Sequence, residues 1–212
     1  NEKRMCRMQP DLKTVMHCLF ITMLVHLLSL NVVAGVPSPE KGMKELLNVV
    51  RQGKISKAGA SSRLRHYFDY ARLVDDPIGP HREKLSTEQM SRYQRVFREL
   101  LERAPFVARL GGDTKMEYRL GKPVKKGVDI RVALMAYNPK TDMDTELAFV
   151  WAKTSKMDWQ VVDVDLDGAS MMKGYQNQFG RILKKEGAQG LINRLEQRLS
   201  TMKKNQIKGQ KS

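Results

Sequence analysis

The chain has 212 residues, 41% of them hydrophobic, which is enough for one domain with a real core besides a targeting segment. Its formal charge of +15 admits a nucleic-acid binder, a protein working beside anionic membranes or a merely well-solvated surface, and charge alone does not choose among them. The only two cysteines, Cys6 and Cys18, lie in or before the first apolar run, which excludes a disulfide scaffold, a thiolate zinc site and cysteine nucleophile chemistry from everything after Val36.

No Asp, Glu, Lys or Arg occurs from Thr14 to Val36, and Lys3, Arg4, Arg7 and Lys13 precede that run. A basic start, an apolar stretch and the small residues Val33-Ala34-Gly35 before Val36-Pro37-Ser38-Pro39 predict a secretory signal peptide over residues 1–35, cleaved after Gly35, with a short linker over 36–40. The alternative is an uncleaved anchor, since the run approaches the roughly 20 residues that span a bilayer. A lipidated Cys18 is disfavoured by Val15-Met16-His17 before it. Loss of residues 1–35 removes four basic and two acidic side chains and leaves +13.

Met43, Leu46, Leu47 and Val50 have the spacing of one helical face, ended by Gly53. Ser61 to Leu73 suits one or two short helices closing before Pro77 and Gly79. Ser86 and Gln89 then form a capping box, with Leu85 and Met90 at the staple positions on either side of the cap. That helix carries the stripe Met90, Tyr93, Phe97, Leu100, Leu101 and Ala104, with arginines and glutamates opposite, and Pro105 ends or kinks it.

After Gly111-Gly112 the period changes to two. Met116, Tyr118 and Leu120 alternate with charges, and Val128, Ile130, Val132, Leu134 and Ala136 predict a half-buried antiparallel strand ending in the Asn138–Asp142 turn. A third strand, around residues 146–153, carries Leu147, Phe149 and Trp151 on one face and Ala148, Val150 and Ala152 on the other. A fourth, 159–166, sets Val162, Val164 and Leu166 against Asp163 and Asp165. Met171, Met172, Tyr175, Phe179, Ile182 and Leu183 mark a helix ended by Gly187. Leu191, Ile192, Leu195 and Leu199 mark another, and the residues from Met202 onward read as a disordered basic tail. Helices, a four-stranded meander and helices again make an α+β domain over 41–201, in which a curled antiparallel sheet closes over a cone; unfilled, that cone is a ligand cavity.

Chemistry is hard to find. Asp163, Asp165, Asp167 and Gly168 open like a calcium loop, but Gly174 stands where the closing Glu belongs, and a solvated strand face followed by a helix start at Asp167 and Ser170 explains them better. His66 and His81 sit beside Arg65 and Arg82 with no metal or nucleophile motif around them. A proton-transfer enzyme of the ketosteroid-isomerase kind would need Asp129 or Asp163 as its base, yet both alternate out of phase with the apolar side chains of their strands. Binding of nucleic acid or another anionic polymer would call for aromatics among the cations, and here the aromatics sit in the apolar stripes.

Three segments carry a family resemblance: Arg65-His66-Tyr67-Phe68-Asp69-Tyr70, Phe97-Arg98-Glu99-Leu100-Leu101-Glu102-Arg103, and Val162-Asp163-Val164 through Gly168-Ala169-Ser170 to the run from Tyr175-Gln176-Asn177-Gln178-Phe179-Gly180-Arg181 to Gly187. In these the chain resembles the MlaC family, the toluene-tolerance proteins that carry phospholipid through the periplasm of Gram-negative bacteria. The resemblance spans roughly residues 41–200. It departs at Gly79-Pro80-His81, where the family has a Trp after the Gly, and at Ala104-Pro105-Phe106, where the family has Thr-Tyr.

The resemblance implies a nuclear-transport-factor-two-like fold, an apolar cavity holding acyl chains with the head group outside, no enzymatic activity and no cofactor. It implies docking to an inner-membrane ABC transporter complex with an MCE-domain protein and to an outer-membrane lipoprotein, transient contact with membrane surfaces, and no nucleic-acid partner. Combined with the apolar faces above, it places Phe68, Phe97, Leu100, Leu101, Val107, Tyr118, Val132, Leu134, Leu147, Phe149, Trp151, Val162, Val164, Met171, Tyr175, Phe179 and Ile182 around the lipid.

Overall fold

The computed structural model describes residues 35–51, 64–103, 116–155 and 158–208, and within it the helical layer forms where capping and periodicity require. Helix α1 (Pro39–Arg51) buries Met43, Leu46 and Leu47. Asp69 caps α2 (Tyr70–Ile78) by accepting from the Arg72 N–H at 3.1 Å. The expected stop before Pro77 is not observed: Pro77 lies inside the last turn of α2, which forgoes one helix hydrogen bond there, and a 3-10 turn, Gly79–Lys84, continues the chain. Before α3 (Thr87–Arg103), the Ser86 N–H donates to Gln89 Oε1 at 3.0 Å and the Gln89 N–H to Ser86 Oγ at 3.2 Å, so the capping box is formed. Met90, Tyr93, Val96, Phe97, Leu100 and Leu101 are its buried stripe. The leader, Ser61, Ala104 to Val107 and the last four residues lie outside the described residues.

The sheet is open and antiparallel, with order β1-β3-β4-β5-β6 and β2 paired to β3. Its long strands are β3 (Asp129–Asn138), β4 (Met143–Lys153) and β5 (Trp159–Leu166), with β1 (Glu117–Leu120) at one edge. Two short strands join the four expected. Strand β2 (Val124–Lys126) makes a hairpin with β3 because Gly127 adopts φ +64 and lets the chain reverse, which leaves Val128 in the turn and 92% exposed instead of in the strand. Strand β6 (Ala169–Ser170) follows the tight Asp167-Gly168 turn, both residues at positive φ.

On β4 both faces are buried, the large side chains inward: Phe149 and Trp151 are fully buried in the main core, while Val150, Ala152 and Val162 form a separate cluster on the other face. Val162 therefore does not share a face with Val164. Trp151 pairs with Val161 and Val150 with Asp163, so β5 carries one extra residue, a bulge that inverts the alternation and sends Val161 inward with Val164. Asp165, expected in water, is 4% exposed, held by Arg131 at 3.3 Å and Lys126 at 3.6 Å.

Helix α4 (Met171–Lys208) is broken at Gly187, whose φ of 69 and ψ of −176 are essentially a glycine conformation. The two arms, 171–186 and 188–208, both pack on α3. Tyr93 and Phe97 meet Phe179 and Tyr175 of the first arm in reverse order, whereas Arg92 and Glu99 meet Glu196 and Lys203 of the second in the same order. The second arm runs on through Lys208, beyond the point where a disordered tail was expected, and Lys203 is tied to Glu99 at 2.9 Å. Helices and inner sheet face share one continuous core.

Candidate functional site

A recess of about 540 Å³ opens between α3 and the two arms of α4. Phe97, Leu100 and Leu101 line it from α3, Tyr175, Phe179 and Ile182 from the first arm, and Leu191, Leu195 and Met202 from the second. Gln178, Arg194, Gln197, Arg198 and Thr201 supply its polar lining. The wall is stiffened by aromatic packing: Phe97 lies edge-on to Phe179 and to Tyr175, each with ring centroids 5.1 Å apart. Behind them Tyr93 donates to the Val74 carbonyl at 2.8 Å, and its burial pushes the phenol pKa far up, so it stays a neutral donor.

Ion pairs hold the arms in place. Arg92 forks onto Glu196 with two contacts of 2.7 Å, and Arg194 forks across the break onto Glu186, also at 2.7 Å. Hydrogen bonds from Arg92 and Arg194 lower the pKa values of Glu196 and Glu186 respectively, and Lys203 followed by Arg103 lowers that of Glu99. These carboxylates therefore stay charged to lower pH than an unpaired glutamate does.

Six of the residues expected around a ligand, Phe97, Leu100, Leu101, Tyr175, Phe179 and Ile182, meet at this recess. Phe68, Val132, Leu134, Leu147, Phe149, Trp151 and Val164 are instead buried in the main core, with Tyr118 and Met171 partly buried against it. Val162 lies on the opposite sheet face, and Val107 lies outside the described residues. The second arm's contribution was missed. Its signal was available: 191, 195, 198 and 202 recur at helical spacing beside the Ile192 and Leu199 stripe that enters the core.

The carboxylates singled out as candidates for chemistry are occupied structurally. Asp163 accepts from the N–H groups of Val164 and Met172 and from Ser170 Oγ, anchoring the start of α4, while Asp167 accepts from the Glu146 N–H. Asp129 opens β3 opposite Lys126. His66 lies against Tyr67 with ring centroids 3.8 Å apart, and His81 packs where a β-carbon on Gly180 would come within 2.6 Å of its Nε2. Among the described residues no three His, Cys, Asp or Glu side chains converge to hold a metal, and no helix is long and apolar enough to cross a membrane.

An open antiparallel sheet under a helical layer that is itself hollowed by an apolar recess defines an α+β domain. The family described as MlaC protein matches residues 41–197, and the chain belongs to it. Its fold is similar to that of a phospholipid-binding protein from Ralstonia solanacearum solved in complex with a phospholipid, at 18% sequence identity and a TM-score of 0.60, with 77% of this chain and 95% of that chain covered.

Proposed function

We propose that the protein is a periplasmic phospholipid carrier, holding acyl chains in the recess between α3 and the arms of α4 and moving lipid between membrane complexes. The recess carries this reading: about 540 Å³ of mostly apolar space is the size and character of a small-ligand site. The family assignment and the lipid seen in the Ralstonia protein support it. The recess opens from the same continuous core as the inner sheet face, so a chain that parts the helices from the sheet meets only apolar side chains such as Leu134 and Phe149.

Burying an acyl chain of about sixteen carbons at about 0.8 kcal/mol per CH₂ gains on the order of 13 kcal/mol, so escape into water is very slow. Transfer therefore runs directly to another apolar site. The family's partners, an inner-membrane ABC transporter complex with an MCE-domain protein and an outer-membrane lipoprotein, are the expected donors and acceptors. A mature chain beginning near Val36 fits this location, and intact mass of the periplasmic protein measures it. Organic extraction and mass spectrometry of purified protein test the carrier function: phospholipid is expected without any being added. Absence of lipid together with tight, salt-sensitive DNA or RNA binding overturns it.

A further inference from the structure

The second arm of α4 turns residues 191, 194, 195, 198, 201 and 202 toward the recess, the spacing of a single helical stripe. Two arginines stand on that stripe, and an arginine there can lay its methylenes on the apolar wall while it carries a guanidinium to the edge of the recess. Arg194 is already committed, forked onto Glu186. Of the seven arginines of α3 and α4, Arg92, Arg98, Arg103 and Arg194 have a carboxylate partner, whereas among the described residues Arg95, Arg181 and Arg198 have none, and of these three only Arg198 lines the recess, where it is exposed. Gln178 of the first arm and Gln197 of the second border the same space.

An unpaired guanidinium beside an apolar recess is suited to a ligand that is hydrocarbon at one end and anionic at the other. The guanidinium fork matches the oxygen geometry of a phosphate, and side-chain amides add neutral donors around it. We propose that Arg198, aided by Gln178 and Gln197, binds the phosphate of the lipid whose chains fill the recess, and so selects phospholipids over neutral lipids with the same acyl chains. This rests on the carrier reading above and goes beyond it by naming the residue that chooses the cargo. Diacylglycerol buries the same chains but offers Arg198 a neutral hydroxyl in place of the anionic phosphate.

The test presents the full-length purified protein with vesicles containing equimolar dipalmitoyl phosphatidylglycerol and dipalmitoylglycerol, re-isolates it, and measures the ratio of bound lipids by mass spectrometry. Wild type is expected to favour the phospholipid. Arg198→Gln should lower the ratio on the order of tenfold, the size of one charge-assisted hydrogen bond. Arg198→Lys should fall between, keeping the charge but losing the fork, and Arg181→Gln, exposed on the first arm away from the recess, should match wild type. An Arg198→Gln variant with the wild-type ratio overturns this inference alone. A wild type that takes up neither lipid overturns the carrier reading with it. Inorganic phosphate added alone separates a head-group contact from a free-anion site: it should not change the ratio, and collapse of the ratio at millimolar phosphate rejects the head-group contact.

Discussion

Gly42 lies so close under the indole of Trp151 that a β-carbon built on it would sit 2.6 Å from Cη2. Trp151 is fully buried in β4, and its ring cannot swing aside as a flexible chain end could. Gly42→Ala is therefore expected to destabilise the domain by about 1–3 kcal/mol through overpacking, visible as a lower thermal midpoint. Gly174, helical with open space around its missing β-carbon, supplies the opposite sign: Gly174→Ala should leave stability unchanged or raise it by up to about 1 kcal/mol. Equal midpoints for the two variants would contradict the contact.

Phe149 and Ile182 separate core from cavity wall. Phe149 is fully buried between Val132 and Val164, its partners across the neighbouring strands, and does not border the recess. Phe149→Ala should cost about 3–5 kcal/mol, and Phe149→Asp should not fold at all. Ile182 lines the recess and is only partly buried, so Ile182→Ala should cost clearly less and act instead on the amount of lipid extracted. Denaturant melts and lipid extraction on the same two variants check both halves.

Acid should loosen the second arm first. Glu196, Glu99 and Glu186 all have lowered pKa values in the folded chain, so they bind protons less readily there than when unfolded. Their contribution is complete above the unfolded value near 4.3 and disappears as pH falls further, through the lowered folded values. Amide exchange in residues 188–205 should accelerate as pH falls below the unfolded carboxylate value, ahead of the rest of the core, and high salt should weaken the same pairs. Uniform acid loss of protection across α3, the sheet and the second arm would show that these pairs do not hold it.

Much of this was readable from residue order. The Ser86 and Gln89 cap, the inward set of Val132, Leu134 and Ala136, and the break at Gly187 are local, and local chemistry decided them. Residue order alone does not show that Val162 leaves the inner face of β5, because a bulge is a relation between two strands and the alternation looks regular until the pairing with Val150 and Trp151 is known. The end of α4 resembles a tail in the sequence because Lys203 and Lys204 look solvated in isolation; the ion-pair partner of Lys203, Glu99, is more than a hundred residues earlier. The recess combined the legible stripe of the first arm with second-arm residues that were legible only as core.

Gly187→Ala should be the most damaging single change outside the core. The conformation it holds strains any residue with a β-carbon by about 1–3 kcal/mol, and the nearest relief is to continue the helix. That relief is unavailable. At roughly 100° per residue, an unbroken helix would set the stripe of Leu191, Leu195, Leu199 and Met202 about half a turn away from the stripe of Met172, Tyr175, Phe179 and Ile182. One stripe could face α3 only if the other faced water. The variant should aggregate or expose a dye-binding apolar surface, and a soluble, lipid-bearing Gly187→Ala protein would show that the break is dispensable. Gly187 thus works as a phase corrector: it resets the rotation of the chain so that two out-of-step amphipathic segments address the same neighbour, and the hollow between them exists because the correction is made once, at one residue.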